Sequence, residues 1–110
     1  LFNVLAGTVK NLILSNVTIT GDGKHVGAIA RTVGADSQIE NCYISGSLAT
    51  TGNCAAGGLI GQVQSGTLEI QNCIVNAEIE NKDNNNRESL AGGLVGSVKV
   101  KNGTQLNIMN

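Results

Sequence analysis

The chain repeats itself, and this internal repetition constrains its fold more than any other feature. Residues 39–44 read Ile-Glu-Asn-Cys-Tyr-Ile, and residues 70–75 read Ile-Gln-Asn-Cys-Ile-Val. Residues 57–61 (Gly-Gly-Leu-Ile-Gly) recur in the same way at 92–96 (Gly-Gly-Leu-Val-Gly). Similarity at a regular spacing is the signature of architectures in which one supersecondary unit recurs along the chain. We therefore interpret residues 1–110 as one domain with about three and a half copies of a unit of roughly 30 residues.

The boundaries of the copies follow from the same matches. Val9 aligns with Ile39, and Gly27 aligns with Gly58 when the offset of the Asn-Cys segments is applied to the glycine-rich segments. The predicted copies, here named repeats 1 to 4, cover approximately residues 1–25, 26–56, 57–91 and 92–110, the last of them partial.

Within a repeat, the apolar pattern is typical of short strands. Leu68 and Ile70 alternate with polar residues, which is the period of a half-buried strand. The next apolar positions, Cys73 and Val75, have the opposite parity. Because a slip of one residue turns inward side chains outward, we predict a bend at Gln71-Asn72. The same slip occurs at Glu40-Asn41 and at Lys10-Asn11. No window has the 3.6-residue apolar stripe of a helix.

One unit of this size has too little apolar surface to close a core, whereas stacked units close one. The sequence therefore predicts an all-β fold, a parallel β-helix (β-solenoid) of about three and a half coils with three to four short strands per coil. The alternative is an antiparallel β-sandwich. That alternative gives no reason for the bend, the asparagine and the glycines to recur in register.

A predicted core and a set of recurring structural positions follow from this pattern. Inward positions are expected at Ile39, Ile44, Leu48, Leu68, Ile70, Val75 and Ile79. Asparagine tolerates left-handed backbone at a bend, and stacked asparagines can bond one another. Inward cysteines act as small hydrophobes, and their parallel side chains favour thiols over a disulfide. Glycines permit tight turns or close backbone packing. The predicted ladder positions are Asn11, Asn41, Asn72, Asn110, Cys42 and Cys73, and the predicted repeat glycines are Gly27, Gly57, Gly58, Gly61, Gly92, Gly93 and Gly96.

Chemistry-bearing residues are sparse. The single histidine, His25, lies in a glycine-rich segment and is interpreted as a solvated turn residue, and Cys54 is expected in a polar turn. The chain has only one histidine and lacks a Cys-x-x-Cys motif, so it does not contain the ligands of a common zinc site. No nucleophile, base and oxyanion-hole pattern is present either. We therefore predict a non-enzymatic chain with no catalytic residues, no metal site and no cofactor.

Charge and aromatic content exclude further classes. The net charge is −1, charged residues make up 14%, and the chain has one tyrosine, one phenylalanine and no tryptophan. Nucleic-acid binding calls for a basic stripe and stacking aromatics, so we expect no nucleic-acid partner. No apolar run is long enough to cross a bilayer, so we expect no membrane insertion.

The glycine-rich runs at 57–61 and 92–96, together with the Val9-Lys10-Asn11-Leu12-Ile13-Leu14-Ser15-Asn16-Val17 segment, resemble GLUG-motif repeats. Repeat 2 departs from the motif, since it reads Val26-Gly27-Ala28-Ile29-Ala30. GLUG arrays occur in large bacterial surface and secreted proteins, including non-catalytic regions of some immunoglobulin A peptidases. The resemblance implies a β-helical fold and an extracellular or cell-surface location, and it carries no catalytic residues into this chain.

These observations predict a non-catalytic structural or interaction module of a larger cell-surface or secreted bacterial protein, acting as a stalk, display or adhesion surface. The expected partners are flanking repeats or domains of the parent protein, and a host or cell-wall protein or glycan. The alternative is a carbohydrate-binding or carbohydrate-active β-helix. Its candidate carboxylates, such as Glu40 and Glu69, fall on different predicted faces, and only Tyr43 is available for sugar stacking.

Overall fold

The computed structural model describes residues 1–51, 54–81, 90–98 and 105–109. This part of the chain is all-β, with thirteen strands and no helix, so it contains no helix that could cross a membrane. The strands are β1 (Phe2–Leu5), β2 (Thr8–Lys10), β3 (Ile13–Thr20), β4 (Ala30–Val33), β5 (Ser37–Glu40), β6 (Tyr43–Thr50), β7 (Ala55–Gly57), β8 (Ile60–Val63), β9 (Thr67–Gln71), β10 (Ile74–Asn81), β11 (Leu90–Gly92), β12 (Val95–Val98) and β13 (Gln105–Met109).

The strands form four sheets. The strand orders are β1-β4-β8-β12, β2-β5-β9-β13, β3-β6-β10 and β7-β11. All pairings between the described strands are parallel, and each strand pairs with the equivalent strand of the adjacent repeat. Parallel neighbours need a crossover connection, and here the other strands of the repeat supply it. This arrangement is compatible with a parallel β-helix and excludes the antiparallel sandwich for the described residues.

The strand register follows most of the predicted alignment. Val9 pairs with Ile39, and Ile39 pairs with Ile70, as the sequence match indicates. The alignment of Gly27 with Gly58 is wrong by one residue, because Ala30 pairs with Ile60 and a bridge joins Val26 to Ala56. Gly27 therefore lies level with Gly57.

The physical reason for this difference is one additional residue in the turn between β8 and β9. Val33 pairs with Val63, but Ser37 pairs with Leu68, so the offset grows from 30 to 31 across this turn. Gly66 lies in the turn with φ 83°, a left-handed conformation that glycine adopts without steric cost. The extra residue is absorbed there, and the strands on either side keep their register.

The core lies between the sheets and is made of aliphatic side chains from successive repeats. Five of the seven predicted core residues are confirmed as fully buried, namely Ile39, Ile44, Leu48, Leu68 and Ile70. Val75 and Ile79 are only half-buried and pack against the edge of the cluster. Both lie on β10, which is an outer strand of its sheet among the described residues, so one side of each lacks a covering strand.

Candidate functional site

The predicted asparagine row marks the corner between the β2-β5-β9-β13 and β3-β6-β10 sheets. Asn11, Asn41 and Asn72 have φ values of 56°, 54° and 52°, which place all three in the left-handed region. Each directly follows the last residue of a strand in the first sheet and reverses the in–out parity before the second sheet. Asn110, the predicted fourth member, lies outside the described residues.

Hydrogen bonds join this row along the stacking direction. The side-chain amide of Asn41 donates from Nδ2 to Oδ1 of Asn11 at 3.3 Å. The backbone N–H of Asn41 donates to the Gln71 carbonyl at 3.0 Å, and that of Asn11 donates to the Glu40 carbonyl at 2.9 Å. The row therefore ties its own repeats together, which is a structural role.

Replacing Asn41 with alanine tests the backbone role of the row. We expect a loss of about 1–2 kcal/mol of unfolding free energy, because alanine disfavours the left-handed conformation. Asn41→Gly is the matched control, since it removes the same side chain but tolerates φ 54°. Urea unfolding followed by circular dichroism measures both. Equal losses in the two variants would assign the effect to the side-chain bond instead.

The two ladder cysteines are inward neighbours of the asparagines. Cys42 and Cys73 are buried thiols in the structure, and the same position in repeat 1 is taken by Leu12. Cys42 Sγ contacts the Glu40 carbonyl oxygen at 3.4 Å. Burial raises the pKa of the Cys73 thiol, so the reactive thiolate is disfavoured. These cysteines behave as small core residues. Cys54, by contrast, is half-buried.

Most of the repeat glycines in the described part of the chain mark places where two backbones touch, and Gly93 is an exception. A Cβ added at Gly61 would lie 2.8 Å from Val26 N and 2.9 Å from His25 Cβ. A Cβ added at Gly96, one repeat later, would lie 2.9 Å from the backbone carbonyl carbon of Ala56. The glycine-rich strand therefore packs directly on the backbone that precedes the equivalent strand of the neighbouring repeat. This close approach explains why glycine recurs at the position.

His25 is a structural hydrogen-bond acceptor. The Ala55 N–H donates to His25 Nδ1 at 2.9 Å, so the histidine bonds the backbone at the start of β7. The interpretation of His25 as a merely solvated turn residue is therefore wrong. Nearby, Asp22 accepts a hydrogen bond from Thr51 Oγ1 at 2.7 Å, which connects two turns of adjacent repeats.

The outer face of the β2-β5-β9 sheet carries a polar groove with a volume of about 490 Å³. Its carboxylates already have partners: Asp36 Oδ1 accepts from the Thr67 N–H at 2.8 Å, and Glu69 Oε2 accepts from Gln38 Nε2 at 3.3 Å. In glycoside hydrolysis two carboxyl groups face one scissile bond as acid and as base or nucleophile. Here each carboxylate is engaged in holding adjacent repeats together.

Candidate metal ligands do not converge within the structure's described ranges. No group of three or more histidine, cysteine, aspartate or glutamate side chains lies together there. An exposed ion pair between Lys10 Nζ and Glu40 Oε2, 3.5 Å apart, joins repeats 1 and 2. Screened pairs of this kind contribute little to stability.

The sequence interpretation missed a strained site in β3. Asn16 also has a left-handed φ of 56°, and the β3–β6 register shifts between Leu14 and Val17. The signal was present, because Leu14 and Ile19 are five residues apart whereas Ile44 and Leu48 are four apart. One additional residue in repeat 1 forms a bulge. A Cβ added at Gly46 opposite it would lie 2.0 Å from the Val17 carbonyl oxygen.

Comparison with known proteins adds no relative. No family model matches the chain, and neither the curated proteins nor the solved structures include a match. The similarity to GLUG-motif repeats therefore stays a prediction from the residues at 57–61 and 92–96.

Proposed function

We propose that the chain is a segment of a parallel β-helix that serves as a non-catalytic structural or interaction module of a larger bacterial surface or secreted protein. The observation that supports this proposal is the parallel pairing of equivalent strands from successive repeats in all four sheets. In such a stack, the polar side chains that catalysis would use instead join one repeat to the next. The chain then supplies length and an extended lateral surface to its parent protein.

Four separate bonds between repeats support this interpretation. The Asn41–Asn11, Glu69–Gln38 and Thr51–Asp22 hydrogen bonds each connect residues about one repeat apart in the chain. The backbone N–H of Thr67 likewise donates to Asp36 of the preceding repeat. Stability in a solenoid is a sum of repeat terms and nearest-neighbour interface terms. Polar groups that bond one repeat to the next are expected in a module built from stacked repeats.

Lengthening the stack tests the proposal. A second copy of residues 31–60 is inserted after Ile60, because Ile60 pairs with Ala30 and occupies the equivalent place. The inserted copy carries Arg31→Gly, since glycine stands at that position in the next repeats. We expect one cooperative unfolding transition with a larger urea m-value, because m scales with the surface exposed on unfolding. The unmodified chain is the control.

A module with interchangeable repeats accommodates the insertion, whereas a fold with one unique core does not. If the chain with the insertion unfolds at a lower urea concentration than the unmodified chain, or loses its strand content, the proposal is contradicted. The proposed location on the cell surface has a separate test. Antibodies against the chain should label intact cells of the source bacterium.

Carbohydrate binding is the second candidate, because the polar groove beside Glu69 combines hydroxyl, amide and carboxylate groups on one face. Tyr43 lies on a neighbouring face, level with the exposed side chains of Ile13 and Ile74. Incubation with a panel of polysaccharides separates the candidates. Turnover supports an enzyme, saturable binding supports a lectin, and neither result is expected for a purely structural module.

A further inference from the structure

The polar groove on the outer face of the β2-β5-β9 sheet follows one row of side chains through successive repeats. Thr8 pairs with Gln38 and Gln38 pairs with Glu69, so these three residues lie level in repeats 1 to 3. The other lining residues are Asp36, Ser37 and Thr67. The row follows the stacking direction on the lateral surface, so further repeats in a stack extend such a groove and do not cover it.

The lining of the polar groove consists of hydroxyl, amide and carboxylate side chains. No aliphatic or aromatic residue is among the lining residues that belong to the described part of the chain. Protein interfaces have an apolar core with buried aromatic anchors, which this groove does not provide. Hydroxyl, amide and carboxylate groups exchange hydrogen bonds with a ligand that carries many hydroxyls. The lining therefore suits a sugar chain better than a protein surface.

The two carboxylates of the groove are held in place by neighbouring repeats. Asp36 Oδ1 accepts from the Thr67 N–H at 2.8 Å, and Glu69 Oε2 accepts from Gln38 Nε2 at 3.3 Å. Within the described residues, neither Asp36 Oδ2 nor Glu69 Oε1 takes part in a hydrogen bond or an ion pair. A carboxylate offers about four acceptor sites, so both side chains can bind a ligand and keep their bonds between repeats. Because these bonds already order the side chains, binding costs little additional entropy.

The negative charge of the groove is not balanced by a cation in its lining. Neither lysine nor arginine is among the lining residues in the ranges that the structure describes. Lys10, the next outward position after Thr8 on β2, has its Nζ 3.5 Å from Glu40 Oε2. A sugar chain with carboxylate or sulfate groups is therefore repelled by the groove, whereas a chain with ammonium groups is attracted.

We propose that the polar groove binds a glycan with free amino groups, such as a chain of glucosamine units. The ammonium groups of the glycan donate charge-assisted hydrogen bonds to Asp36 Oδ2 and Glu69 Oε1. Its hydroxyls bond the Thr8 and Thr67 hydroxyls and the Gln38 amide. This inference deepens the carbohydrate-binding candidate and rests on it, since it names the class of sugar and adds no catalytic step.

The test is an NMR titration of the full ¹⁵N-labelled chain in a mildly acidic buffer that keeps the amines protonated. The probes are a glucosamine oligomer and the N-acetylated oligomer of the same length, which has the same sugar backbone without the charge. We expect saturable shifts of the Gln38, Thr67 and Glu69 amides, which line the groove. The glucosamine oligomer should bind about fivefold more tightly. Added salt should reduce this difference, because it screens exposed charges.

Amide variants remove each negative charge and keep the bonds between repeats. Asp36→Asn retains Oδ1 as the acceptor of the Thr67 N–H. Glu69→Gln retains a side-chain oxygen that accepts from Gln38. We expect each variant to bind the glucosamine oligomer about two- to threefold more weakly and to bind the N-acetylated oligomer as before. Glu78→Gln is the matched control, because Glu78 is exposed on β10 and does not line the groove.

Four results would overturn the proposal. Equal binding of the two oligomers rejects the preference for amino sugars and leaves the carbohydrate-binding candidate standing, whereas no saturable shift with either oligomer rejects that candidate as well. Equally tight binding of oligolysine at the same amides shows that the groove recognises any cation and rejects a sugar site. Unchanged affinity of folded Asp36→Asn and Glu69→Gln chains places the binding site elsewhere. The amide spectrum reports whether each variant is folded, and if one is not, the other decides.

Discussion

Replacing Ile70 with alanine is expected to lower the free energy of unfolding by about 2–5 kcal/mol. Ile70 is completely buried near the end of β9 and pairs with Ile39 on one side and Ile108 on the other. The substitution removes apolar contacts and leaves a cavity that the two flanking strands cannot close without breaking their register. Equilibrium urea unfolding, monitored by circular dichroism, measures the loss as a lower transition midpoint at an unchanged m-value.

The matched control is Ile74→Ala, four residues further along the chain. Ile74 has the same side chain but is 61% exposed on the outward side of β10. We expect its replacement to change stability by less than about 0.5 kcal/mol. Comparable losses in the two variants would contradict the inward assignment of Ile70 and the bend at Asn72 that separates the two positions.

The sequence predicts the parallel pairing because two independent kinds of residue recur together. The apolar alternation identifies strands, but alternation alone is equally compatible with an antiparallel sandwich. The asparagine at each change of parity favours the parallel β-helix over the sandwich. Only when equivalent strands of successive repeats stack on one another do Asn11, Asn41 and Asn72 lie at one corner. The left-handed φ values of all three confirm the predicted bends.

Other features depend on contacts between distant residues and could not be predicted from local pattern. His25 looks like a turn residue in sequence, and its bond to the Ala55 N–H exists only because the repeats stack. The register of Gly27 depends on which turn contains an additional residue. That turn is the one between β8 and β9, where Gly66 adopts a left-handed conformation. A single sequence comparison cannot locate an insertion more finely than the turn that contains it.

The second large effect is expected for Gly58→Ala, which should cost about 3 kcal/mol. A Cβ at this position would lie 2.3 Å from the Gly93 carbonyl oxygen and 2.5 Å from Val75 Cγ1. The Gly58 N–H also donates to that carbonyl at 3.2 Å, so the repeats cannot separate without weakening this bond. The Gly93 carbonyl is backbone and the β-branched side chain of Val75 is stiff, so neither neighbour yields easily. Thermal and urea unfolding should both report the loss.

Gly93→Ala is the control, because Gly93 occupies the same motif position one repeat later. A Cβ at Gly93 would meet no atom of the described residues within 4 Å, and neither Gly58 nor Gly93 has a positive φ. Alanine therefore suits the backbone at both sites, and only the contact with the neighbouring repeat differs. We expect Gly93→Ala to be neutral or slightly stabilising, since it reduces the entropy of the unfolded chain. A similar loss in both variants would show that these glycines serve local backbone freedom, and the close packing between repeats would then not explain their recurrence.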